Sequence, residues 1–236
     1  MAVTLLAPAK LTVSLRVLGL RPDGYHEIDA EMVTLDLADT LTISDGDGLE
    51  VRDTTGGSPI PSGADNLVAR ALHAAGRVAH VQVDKRIPAG AGLGGGSADA
   101  AAVLRWAGID DLAAAVGLGA DVAFCLRGGR ARVTGLGEGI EALPFVERTY
   151  TLLTPPFGCS TPAVYAAWDR LGGPMAKGVN DLEPAALAVE PALAAWRDRL
   201  GDATGQTPTL AGSGSTWFVV GAHHGGGFVI AHTIPA

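Results

Sequence analysis

The chain has 236 residues, below the ~250 to 300 at which chains tend to divide into independent cores, so one compact unit with room for two lobes is expected. A hydrophobic fraction of 47% against 18% charged residues can fill a core and excludes intrinsic disorder, while 33 glycines without a G-X-Y period exclude collagen. The net charge of -8 provides no broad cationic face to displace counterions from a phosphate backbone, which argues against a nucleic-acid partner.

Leu11, Val13, Leu15 and Val17 alternate with Thr12, Ser14 and Arg16, the period of a half-buried strand. Turn chemistry follows at Arg21-Pro22-Asp23-Gly24, then strands at 31–37 and 40–43 and loop-like residues 54–62. Asp65 or Asn66 can cap a helix to about residue 75, and residues 78–84 read as a strand. A glycine-rich loop spans 88–96, followed by a helical run to about residue 106. Helices are expected at 110–117, 121–126, 162–171, 181–188 and 191–200, and strands at 130–134, 149–154 and 216–220. Strands in front and helices behind indicate α+β, with the lobe boundary near Glu147 separating 1–147 from 148–236.

Residues 88–97 read PAGAGLGGGS, and their five glycines allow close approach of a ligand and inward-turned N–H groups. Together with the positive end of the following helix and the Ser97 hydroxyl, they could hold a phosphate or its metal ion; a flexible turn with Ser97 as N-cap is the plainer alternative. No lysine follows the glycines, so this is not a Walker A loop. Gly90, Gly92 and Gly95 satisfy G-x-G-x-x-G with Asp110 or Asp111 at the ribose-acid offset, but residues 106–109 are too short and broken for the second strand of a dinucleotide fold.

This loop, with Pro8-Ala9-Lys10 and with Leu210-Ala211-Gly212-Ser213-Gly214-Ser215, resembles the three-motif signature of the GHMP small-molecule kinases. Pro22-Asp23-Gly24-Tyr25-His26, Asp65-Asn66-Leu67, Gly119-Ala120-Asp121-Val122 and Asn180-Asp181-Leu182-Glu183 are most similar to the branch acting on a cytidine-diphosphate-linked methylerythritol. The resemblance implies a two-lobed α+β fold, ATP and Mg²⁺, and phosphorylation of that alcohol's 2-hydroxyl in non-mevalonate isoprenoid synthesis. The chain departs from the pattern at Thr12, where Asn is usual, at Ala98, where a second Ser is usual, and in its short helices.

A kinase needs positioning, charge stabilisation and an acceptor for the hydroxyl proton. The resemblance makes Asp121 that acceptor and Lys10 its partner, although local sequence also allows a helix N-cap and a solvated lysine. It places Asn66, Pro88, Gly90, Gly92, Leu93, Gly94, Gly95, Gly96 and Ser97 around ATP. Tyr25 and Tyr165 would stack on the cytosine, His26 would read its polar edge, and Thr12 and Thr161 would add contacts, with Gly212, Ser213 and Gly214 as a supporting turn. Trp196 and Trp217 read as core, and His223 and His224 lack a third ligand at zinc spacing. Two rivals are a GHMP kinase for homoserine or mevalonate and a catalytically silent nucleotide-binding protein. Cys125 lies in an apolar run and shares no CxxC spacing with Cys159, which fits a reducing cytosol. No export signal or membrane span is read, so a cytoplasmic monomer or weak homodimer is expected.

Overall fold

The computed structural model describes residues 1–56 and 60–236. Part of the expected loop at 54–62 therefore lies outside the described residues; the remainder carries neither helix nor strand. Two sheets organise the chain. The first contains β1 (Val3–Leu20), β2 (His26–Ser44), β3 (Gly48–Asp53), β4 (His80–Lys85), β5 (Arg130–Gly135) and β6 (Gly139–Ala142). Strand β1 runs antiparallel along nearly all of β2, whose other edge pairs with β5 at Ile28–Val33 and with β4 at Thr40–Ser44. The two strands expected at 31–37 and 40–43 are thus one, because a single long partner supplies ladder bonds across the gap.

The alternation at residues 11–17 holds only in part. Leu11 belongs to one buried cluster, whereas Leu15 and Val17 belong to another, although all three share one parity. Register shifts between Pro8 and Lys10 and between Thr12 and Ser14 turn the strand, as an extra residue in one ladder partner does. Consequently residues 9–12 are all buried, Lys10 and Thr12 included.

Helices α1 (Leu67–Ala74), α2 (Gly95–Trp106), α3 (Leu112–Leu118) and α4 (Ala120–Arg127) follow from the sequence between β3 and β5. Helix α2 packs on β1 and against both α1 and α4. Residues Ala98 to Leu104 are all buried, so this alanine-rich helix is a central element rather than an amphipathic surface one. Asp111 caps α3 by accepting from the N–H groups of Ala113 and Ala114, which accounts for one acid of the false dinucleotide pattern.

The second sheet has the order β10-β7-β9-β8, from β7 (Thr149–Leu153), β8 (Thr209–Leu210), β9 (Trp217–Val220) and β10 (Phe228–His232). Between β7 and β8 run α5 (Thr161–Arg170), α6 (Glu183–Val189) and α7 (Leu193–Thr204). The sheets share an apolar cluster in which Leu11, Val33, Leu35 and Leu93 meet Tyr150, Leu152 and Phe218. Trp217 is fully buried, as expected, whereas Trp196 is only partly buried beside Phe157. Both cysteines are free thiols, and burial pushes Cys125 up to about 12, leaving it an unreactive core group. Among the described residues no helix is long and apolar enough to cross a membrane.

Candidate active site

Three chain segments converge where β1 is buried on both faces. The backbone N–H of Lys10 donates to Leu93 O at 3.0 Å, fastening the glycine loop to the strand. The loop is also tied to the second half of the chain, since Thr216 N donates to Ala91 O at 3.1 Å and Cys159 N to Gly90 O at 3.3 Å. Gly92 has φ +78°, and a Cβ there would lie 2.5 Å from Ala211 O and 2.7 Å from Gly214 O, so the two glycine turns touch backbone to backbone. The segment is therefore held in shape rather than left as a flexible turn.

Lys10 is 5% exposed; its ammonium stands 3.2 Å from Asp121 Oδ2 and donates to Thr12 Oγ1 at 3.0 Å. Thr12, the departure from the family pattern, thus orients the lysine head. Asp121 lies in the first turn of α4, but the N-cap position is Gly119, so the carboxylate is not a helix cap. Its side chain remains about one-third exposed. A buried cation next to an accessible carboxylate can hold negative charge on an attacking oxygen while the carboxylate takes its proton.

Ser97 is the third residue of α2, and its N-cap is Gly94 in the left-handed conformation, so Ser97 is not the cap either. A cleft of about 340 Å³ is lined by Asn66, Pro88, Gly90, Gly92, Gly94, Gly95, Gly96 and Ser97, eight of the nine residues expected around ATP. Leu93 is instead buried in the apolar cluster beneath and contributes its carbonyl to Lys10. Asn66 caps α1 through Val68 N and donates to Pro61 O, which fixes the cleft wall. Lys85 and Asp99 also line this cleft, and sequence reasoning gave neither a role. Burial lifts the Asp99 carboxyl up to about 7 against the opposing pull of Lys85.

His26, at the start of β2, stacks on Tyr165 of α5 with ring centroids 4.7 Å apart and meets Trp168 edge-on at 5.5 Å. Its Nε2 is 2.8 Å from Asp169 Oδ1, which fixes the ring and leaves Nδ1 as its other polar atom. Burial pushes the Tyr165 phenol up, and the Asp121 carboxylate adds to the rise. Tyr25 is 64% exposed on the adjoining turn, and Thr161 Oγ1 is 2.8 Å from Ser213 Oγ, joining α5 to the second glycine turn. Gly212 faces Lys10 and Thr12: a Cβ there would lie 3.7 Å from Lys10 Nζ.

Asn180, the first residue of the Asn180-Asp181-Leu182-Glu183 motif, is a further supporting residue. It is buried, donates to Leu210 O at 2.8 Å and Gly212 O at 2.7 Å, and accepts from Leu182 N at 2.9 Å. Asn180→Ala should therefore lower the unfolding free energy by roughly 2 to 4 kcal/mol, because buried backbone groups lose their partners. A urea titration giving less than about 1 kcal/mol would show that water replaces the side chain there.

A family model described as the GHMP kinases N terminal domain matches residues 64–129, and the fold and nucleotide-loop architecture define a small-molecule kinase of that class. The 4-diphosphocytidyl-2-C-methyl-D-erythritol kinase of Paracoccus denitrificans (strain Pd 1222) is 39% identical over 90% of this chain and 84% of its own length. That of Pelotomaculum thermopropionicum (strain DSM 13744 / JCM 10971 / SI) is 38% identical over 92% and 88%. A crystal structure of 4-(cytidine 5'-diphospho)-2C-methyl-D-erythritol kinase superposes with a TM-score of 0.74 at 34% identity, covering 92% of this chain and 90% of the other. The chain belongs to the 4-diphosphocytidyl-2-C-methyl-D-erythritol kinase family.

Proposed function

We propose that this protein transfers the terminal phosphoryl group of ATP to the 2-hydroxyl of 4-diphosphocytidyl-2-C-methyl-D-erythritol, within non-mevalonate isoprenoid precursor synthesis. The observation that carries the reading is the Lys10–Asp121 pair at 3.2 Å, with Lys10 on a strand bonded to the glycine loop. Asp121 accepts the proton of the attacking hydroxyl, and Lys10, steadied by Thr12, offsets the charge that develops on its oxygen. The loop N–H groups and the N-terminus of α2 receive the phosphates, with Gly94 to Ser97 supplying close approach. Mg²⁺ would neutralise phosphate charge, and Asp99, which lines the cleft and whose buried Oδ1 has no partner, would suit it as an oxygen donor. Residues 1–147 form the lobe with the nucleotide loop and 148–236 the lobe completing the alcohol site, and two free cysteines suit a reducing cytoplasm.

Tyr165 and Tyr25 grip the cytosine in this reading, with His26 Nδ1 on its polar edge. Replacing either tyrosine by alanine should weaken the cytidylated substrate by about 1 to 3 kcal/mol, the range for a base–aromatic stack, with ATP affinity nearly unchanged. Tyr25→Ala is the cleaner variant, because its ring is largely exposed and its loss should leave the melting temperature where it was. Tyr165→Ala also removes the support under His26 and should melt earlier. Dissociation constants for both ligands on both variants decide the matter: equal losses for ATP and the cytidylated alcohol would remove the tyrosines from base recognition.

A further inference from the structure

Beneath the glycine loop lies a cluster of buried charges whose two outer members, Lys85 and Asp39, have no part in the reaction described above. Lys85 ends β4, Asp39 lies on β2, and Asp99 projects from the first turns of α2. The Lys85 ammonium donates to the Asp39 carboxylate and, at 2.6 Å, to Asp99 Oδ2. A Cβ on Gly95 would lie 3.2 Å from Lys85 Nζ, so the glycine loop packs directly against this cluster.

One ammonium faces two carboxyl groups under a loop shaped to receive anions. The carboxylates differ in their surroundings. Asp39 is fully enclosed and also accepts from the backbone N–H groups of Arg86 and Ile87. Asp99, 4% exposed, has no partner for Oδ1. Among the described residues, the other buried side-chain atoms without partners belong to Thr34, Tyr150, Ser215 and Trp217, none of which lines the cleft. A buried carboxyl oxygen without a partner, beneath a loop that receives phosphates, suits a cation. Among the described residues no three His, Cys, Asp or Glu side chains converge, so an ion there would draw one oxygen from the protein and the rest from phosphates and water. Mg²⁺ in nucleotide sites is held in that way, through one or two carboxylates plus substrate phosphates.

We infer that Asp99 Oδ1 is the protein's ligand for the divalent cation accompanying the nucleotide, and that Lys85, anchored by Asp39, is the positioning residue that aims it. The inference rests on the ATP reading and specifies its metal site.

Mn²⁺ binding followed by electron paramagnetic resonance, on the full chain with ATP and without the alcohol, tests it apart from turnover. Asp99→Asn preserves volume and an acceptor for Lys85, yet should weaken Mn²⁺ in the ATP complex by about 10- to 100-fold, the loss typical of perturbed metal sites. ATP affinity measured without metal should hold or improve, since a negative charge has gone. Asp99→Cys should shift the preference of the complex from Mn²⁺ to Cd²⁺, because a thiolate selects the softer ion; this variant also decides the question should the asparagine variant fail to fold. Undiminished Mn²⁺ affinity in Asp99→Asn, or no gain for Cd²⁺ in Asp99→Cys, would overturn the assignment while leaving the kinase reading intact. Failure of the unaltered chain to bind ATP would instead overturn the kinase reading on which the assignment depends.

Discussion

Asp121→Asn is expected to slow turnover at saturating substrates by about 100-fold or more while ATP affinity stays unchanged. The substitution keeps the size and planarity of the side chain and removes its capacity to take a proton. Lys10 remains 3.2 Å away with Thr12 behind it, so charge stabilisation persists without a base. ATP binding is spared because Asp121 does not line the nucleotide cleft. Stability should fall as well, because the neutral amide leaves the buried Lys10 ammonium without its counter-charge, so the variant's melting temperature is measured beside its rate. Single-turnover measurements separate the chemical step from product release, and a rate within a few-fold of the unaltered enzyme would remove Asp121 from proton transfer.

Gly94→Val should impair ATP binding and the chemical step together. Gly94 has φ +69°, where a β-branched residue is strained, and a Cβ at this position would stand 2.7 Å from Lys10 Cγ and 3.2 Å from Lys10 Cε. Sequence alone predicts only that a side chain here obstructs the phosphates. The structure adds that it displaces Lys10 from Asp121, so turnover should fall by about 100-fold or more even when ATP saturates. Calorimetric ATP titration beside a rate at saturating nucleotide distinguishes the two effects. Unchanged binding in a folded variant would mean that the loop serves only the fold, and an unchanged saturated rate would mean that Lys10 escapes the clash.

The glycine loop was legible from the density of its glycines between a strand and a helix, whereas Lys10 and Asp121 were singled out only through the resemblance to the GHMP kinases, since local sequence also allows a solvated lysine and a helix N-cap. Helices were legible too, through periodic apolar faces and the Asn66 cap, whereas the cap at Asp111 shows only in the structure. Strands β3, β6, β8 and β10 were missed for different reasons: β3 is half charged, β6 and β8 are no longer than four residues, and β10 gains its partner β7 only through tertiary pairing. The bulges of β1 were invisible, since a register shift leaves no mark in a hydrophobic pattern.

Lys85 could have been found: period two places it on the buried face with Val81 and Val83, where a lysine needs carboxylate partners. Asp39 and Asp99, which supply them, lie 46 and 14 residues away, and only the fold shows that they meet. Asn180 was likewise opaque, because its work is to hold two carbonyls some thirty residues further on.

ADP release tests the substrate and the reaction together. With ATP and Mg²⁺ present, a coupled assay should show sustained release on addition of 4-diphosphocytidyl-2-C-methyl-D-erythritol, and background rates with mevalonate or homoserine. Release with either smaller alcohol at a comparable rate, or none with the cytidylated one from protein that binds ATP, would show that the protein is not a kinase specific for the cytidylated alcohol.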